Sequence, residues 1–106
     1  MRVRRIVMPD TAKAGDIIEI RTAVVHPMIT GHTAQGANSQ PRKIVHTFRA
    51  HYDGEEIFRA ELGPGIAANP LIVFTTVATR TGDIIFTWIE DTGETAIERR
   101  LLTVTP

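Results

Sequence analysis

An all-β, immunoglobulin-like antiparallel β-sandwich of about seven strands follows from three properties of this sequence. Apolar residues recur at every second position in several stretches, which is the period of a half-buried strand. Clusters of turn-forming residues separate those stretches at short intervals. The length, 106 residues, suits one domain over residues 1–106, able to bury roughly 65% of its unfolded surface around one core.

The strands are expected near 2–7, 16–26, 42–53, 55–62, 71–80, 83–90 and 94–105. Ala14-Gly15-Asp16 separates the first two. In the second, Ile18, Ile20 and Val24 share a face with Thr22, while Glu19 and Arg21 point the other way. In the third, Ile44, His46, Phe48, Ala50 and Tyr52 alternate with Thr47, Arg49 and His51. Asp53-Gly54 is a strong hairpin signal leading into the fourth strand. Thr81-Gly82-Asp83 joins the fifth strand to the sixth, where Ile84, Phe86 and Trp88 alternate with Asp83 and Thr87. Asp91-Thr92-Gly93 leads into the last strand. There the Ile97/Leu101 spacing also suits a helical turn, but Thr103-Val104-Thr105 favours a strand.

Composition excludes several classes of function. Lys and Arg balance Asp and Glu at twelve each, so there is no basic field to neutralise nucleic-acid phosphates or to hold a membrane surface. There is no cysteine, hence no disulfide, thiolate nucleophile or zinc–cysteine site. No apolar run of signal-peptide or membrane-span length follows Met1-Arg2-Val3-Arg4-Arg5. The expectation is a soluble cytoplasmic protein, or one exported by attachment to another.

Two connections carry the functional candidates. Residues 27–41 form a long polar loop of a kind that is often functional, and residues 62–70 form a loop whose path is fixed by Pro and Gly. Asn69, preceding Pro70, is expected to be extended or in a turn. His26, Met28 and His32 offer two imidazoles and a thioether, a set compatible with copper. Against that stand the missing cysteine, the constraint that Pro27 places on His26, and no carboxylate nearby in sequence to orient an imidazole. Ser39 is the only serine and has no nucleophile motif around it. His46 and His51 are assigned to opposite faces of one strand, His46 half-buried with a backbone partner and His51 at the surface. The acidic pairs Glu55-Glu56 and Glu90-Asp91 flank turns and are expected to be solvated, like the Arg99-Arg100 pair. No cofactor site and no enzyme is expected. Six aromatics, several facing inward, leave little material for a carbohydrate-binding face. Met28, Ile29, Ile66, Ala67, Ala68 and Pro70 either form a recognition surface or pack inward to cap the sandwich, and composition leaves both open.

"HPMITG" at 26–31, "YDGEEIF" at 52–58 and "IAANPLIVFTTVATRTGDIIFTW" at 66–88, with "AGDIIEIRTAVVHPM" at 14–28 and the terminal strand, resemble the SoxZ family. The resemblance implies an immunoglobulin-like, non-catalytic subunit of a sulfur-carrier heterodimer. Its SoxY-like partner would carry thiosulfate-derived sulfur intermediates on a C-terminal cysteine in a glycine-flanked arm. Other sulfur-oxidation enzymes of the periplasm would touch the complex transiently. The subunit would reach the periplasm with its signal-bearing partner. A subunit without thiols would also be unable to intercept that sulfur by exchange. The partner-binding residues carried over are His26, Pro27, Met28, Thr30, Gly31, Asn69 and Pro70, in structural and interfacial roles. One departure bears on partner choice: where relatives commonly carry an Arg and an Asp before a glycine, this loop reads "HTAQGANSQPRK", with His32, Thr33 and Gln35.

Overall fold

A computed structural model describes residues 1–30 and 42–106. The described residues form eight strands and no helix: β1 (Arg2–Val7), β2 (Thr11–Lys13), β3 (Ile17–Val25), β4 (Val45–Tyr52), β5 (Glu55–Glu61), β6 (Leu71–Val77), β7 (Gly82–Glu90) and β8 (Thr95–Thr105). They make two sheets, a three-stranded one in the order β1-β3-β6 and a five-stranded one in the order β2-β8-β7-β4-β5. All pairings are antiparallel except that of β2 with β8. The immunoglobulin-like sandwich expected from the period-two pattern is therefore present, and residues 95–105 are strand throughout.

The eighth strand is the one absent from the sequence expectation. Met8-Pro9-Asp10 interrupts the N-terminal segment, and Pro9 has no amide to continue the β1–β3 ladder. The chain crosses to the other sheet, where Thr103 N–H donates to the Asp10 carbonyl at 2.9 Å and Thr11–Lys13 pairs with Thr103–Thr105. Three residues are too few to display a period, so β2 has no signature of its own.

A bulge modifies the third expected strand. Against β7, Val45 opposes Glu90 while Thr47 opposes Ile89, so one extra residue is inserted. The core phase shifts: Val45 and Phe48 are fully buried, and His46 is half-buried as expected, but its Nδ1 lies against a side chain, Thr47 Oγ1 at 2.7 Å, and not a backbone group.

The core lies between the sheets. Ile18, Ile20 and Val24 from β3, and Ile72 and Phe74 from β6, meet Phe48, Ile84, Phe86, Trp88 and Leu102 from the larger sheet. The rings interlock, with Phe48 5.2 Å from Trp88 and Phe58 stacked on Phe74 at 4.6 Å. Each such side chain stabilises the fold by roughly 1.5–3 kcal/mol on full burial. At the end of the sandwich where β4 turns into β5, the Tyr52 hydroxyl accepts amides from Thr79 (3.2 Å) and Arg80 (3.1 Å) and donates to the Arg80 carbonyl. The candidate site lies where β3 and β7 end.

Candidate functional site

Strand parity builds the site. On β3 the inward residues are Ile18, Ile20, Thr22 and Val24, and the next inward position is His26, 1% exposed. On β7 they are Ile84, Phe86 and Trp88, and the next is Glu90, also 1% exposed. The two strands belong to opposite sheets, so the side chains meet across the sandwich: His26 Nε2 lies 2.6 Å from Glu90 Oε2. Antibody domains join this same pair of strands with their inter-sheet disulfide. This chain, without cysteine, uses a hydrogen bond.

The second ring nitrogen sets the proton. Met28 N–H donates to His26 Nδ1 at 2.9 Å, so Nδ1 is an acceptor, and the proton on Nε2 is donated to Glu90. The imidazole is the neutral Nε2–H tautomer. Burial pushes the Glu90 carboxyl up, but hydrogen bonds from Thr92 Oγ1 (2.5 Å) and His26, with the nearby charge of Lys43, outweigh it and hold Glu90 below the usual carboxylate range.

The segment after His26 is shaped by that ring. Pro27 is exposed and turns the chain outward. Met28 then takes a left-handed φ of 52°, which carries its amide back to Nδ1 and its side chain into the core, where Sδ accepts Val45 N–H at 3.3 Å. Ile29 and Lys43 exchange backbone bonds of 2.9 and 2.7 Å. The other loop clasps His26 from outside: Asn69 Oδ1 accepts His26 N–H at 2.9 Å, and Asn69 N–H donates to the His26 carbonyl at 2.7 Å. Asn69 has φ 54°, so this pre-proline residue is left-handed, a region that asparagine tolerates. Pro70 is buried, and its carbonyl accepts Val24 N–H at 3.4 Å.

Asp91 performs the matching task beside Glu90. It takes a two-pronged bond from Arg42 (2.9 and 2.8 Å) and the Ile44 amide at 3.2 Å. Arg42, chiefly through these bonds, holds Asp91 below its ordinary range. Consecutive acids thus anchor residues 26–30 and residues 42–44. They are structural, not the solvated turn acids that adjacency alone led us to expect, whereas Glu55 and Glu56 are exposed.

Of the residues expected to bind a partner, His26, Pro27, Met28, Asn69 and Pro70 come together. Pro27 and Asn69 are exposed; His26, Met28 and Pro70 are buried behind them; Thr30 is half-buried. Gly31 lies outside the described residues, as do His32 and Ser39. Ile66, Ala67 and Ala68 are exposed beside Asn69, while Met28, one of the apolar groups that could have faced outward, packs inward. The copper reading loses two donors, because both nitrogens of His26 and the sulfur of Met28 already bond within the protein. Among the described residues no three His, Cys, Asp or Glu side chains converge on a metal-sized site. Glu90, 64 residues from His26, is the residue that sequence reasoning missed. The signal was available, since extending each strand's alternation by one step turns both side chains inward.

The family model for the sulphur oxidation protein SoxZ matches residues 5–100. The chain belongs to the SoxZ family. No curated protein sequence matches this SoxZ-family chain. Among solved structures, a putative superoxide reductase from Thermotoga maritima superposes with a TM-score of 0.74 at 17% identity, over 99% of this chain and 86% of that one. The superoxide reductase (neelaredoxin) from Ignicoccus hospitalis gives 0.73 at 18%, over 97% and 82%. The sulfur carrier protein SoxY from Chlorobium limicola f thiosulfatophilum gives 0.67 at 13%, over 96% and 78%. At these identities the likeness is one of fold alone.

Proposed function

We propose that this sulfur-oxidation protein is the non-catalytic subunit of a sulfur-carrier heterodimer. It binds and supports a SoxY-like subunit whose C-terminal cysteine carries thiosulfate-derived intermediates. The observation that carries the reading is the state of His26. The ring that opens the family-like HPM segment has both nitrogens committed to internal bonds and is buried, so it shapes a surface and does not present a reactive group. With no cysteine, the chain has no thiol of its own to carry or divert sulfur. Pro27 and Asn69 present the outer contour of the docking end, with Thr30 beside them, while His26, Met28 and Pro70 hold that contour from behind. Periplasmic residence, reached by export together with the partner, and brief encounters with the enzymes that act on the carrier belong to the same proposal.

Co-expression with a SoxY-like subunit tests it. A one-to-one complex surviving gel filtration is expected. Two separate monomers at micromolar concentration, or thiosulfate turnover by this chain alone, would overturn the reading.

A further inference from the structure

Beyond the loop end, the outer face of the three-stranded sheet is built to be covered. The inward residues of β6 are Ile72 and Phe74, yet the outward ones are Leu71, Val73, Thr75 and Val77, three of them large and apolar. Strands solvated on one face alternate apolar with polar, and strands covered on both read as continuous apolar runs. β6 reads as the second kind. Leu71 is 68% exposed and Val73 47%. Through the register, Val7 of β1 and Ile17 of β3, 75% exposed, lie on the same face. Thus five of the eight large exposed apolar side chains among the described residues share one face of one small sheet. By contrast β5, an edge of the other sheet, carries Glu55, Glu56, Arg59 and Glu61, the ordinary protection of an edge strand.

The charges around this patch identify what covers it. Arg21 stands between Val7 and Val73, and Arg5 opposes Ala23, which in turn opposes Leu71. Arg2, opposite Val25, lies on the same face. The only acid among the paired residues of this face is Glu19, bonded to Arg21 at 2.6 Å. Arg5, Val7, Arg21 and Leu71 line a shallow depression of about 320 Å³. A second copy of the same face would bring arginines against arginines. A partner with an apolar centre and carboxylates around it would match. A face three strands wide and about seven residues long covers only roughly 300 Å² in plan, short of the about 800 Å² per partner of a stable interface. The patch is continuous with the loop end, since Leu71 directly follows Asn69-Pro70, and the two together supply the larger surface.

We infer that the outer face of β1-β3-β6, centred on Val73 and rimmed by Arg5 and Arg21, is the principal docking surface of this chain, and that its occupant is an apolar protein surface edged with carboxylates. The inference rests on the heterodimer reading and assigns that partner to this face.

The test measures binding of the SoxY-like subunit to the full chain by calorimetry at low and high salt. It compares wild type with Val73→Lys, Arg5→Glu and, on the opposite sheet, Ile97→Lys, whose native side chain is also exposed. Thermal unfolding checks that each variant folds. Val73→Lys is expected to weaken binding roughly tenfold or more. Arg5→Glu is expected to weaken it by a similar factor at low salt and less at high salt, and Ile97→Lys to leave it unchanged. If Val73→Lys does not fold, Arg5→Glu decides the matter. Wild-type affinity in every folded variant of this face, loss confined to Ile97→Lys, or a homodimer of the free chain that Val73→Lys disperses would overturn the assignment while leaving the heterodimer reading standing. Failure of the two wild-type chains to associate would overturn both.

Discussion

Glu90 is the residue on which the end of the sandwich depends. Its two oxygens satisfy His26 and Thr92 in a buried position. Removing one member of such a pair leaves the other without a partner away from water. Glu90→Ala is expected to lower stability by about 3 kcal/mol, a fall in Tm of roughly 10 °C or more. Glu90→Gln keeps a carbonyl for one donor and should lose less. It should also change the acid limb. The folded carboxyl lies below its ordinary value, so its stabilising contribution is present above the unfolded value, about 4.3, and is lost as pH falls through the lower folded value. Urea titrations between pH 7 and 3 should therefore show a shallower decline in Glu90→Gln than in wild type. None of this was legible from neighbouring sequence. A turn acid looks solvated until its parity on β7 is followed to the last residue, and His26 appears to lack a carboxylate until β3 and β7 are known to face each other.

At the scale of elements, alternation carried most of the information, and it failed where the backbone departs from regular pairing. β3 and β7 were legible because their inward residues are all apolar or small up to the final position. The β4–β5 hairpin was legible from Asp53-Gly54, whose φ values of 50° and 85° are those of a two-residue turn with both central residues left-handed. A side chain at Gly54 would meet no atom within 4 Å, so the cost of Gly54→Ala is backbone strain alone. About 1 kcal/mol is expected, read as a lower urea midpoint with an unchanged slope. The bulge at Val45–Thr47 and the short β2 were not legible, because an extra residue resets the phase and a three-residue strand has none. The apolar outward positions of β6 were visible as letters. Their meaning required the sheet order, which leaves that face without a covering layer among the described residues.

For the molecule as a whole, the parallel pairing of β2 with β8 ties the first segment to the last. Ala14 N–H reaches the Thr105 carbonyl at 2.8 Å, and Val104 N–H reaches Thr81 Oγ1 at 2.9 Å. Deleting Thr103–Pro106 removes these bonds and the whole β2–β8 ladder while sparing Leu102 in the core. The loss is expected to be on the order of 3 kcal/mol, from several backbone hydrogen bonds at about 1 kcal/mol each. It should appear as one unfolding transition at a lower temperature. Two transitions would mean that the sheets unfold independently. The clasp around His26 has a further consequence. With ring, amide and carbonyl all engaged, the HPM corner has no slack to take up. If that corner docks a partner as proposed, a visitor meets a contour already set, so little ordering entropy is lost on contact, and differences between rival visitors will show in how long each stays and not in how fast each lands.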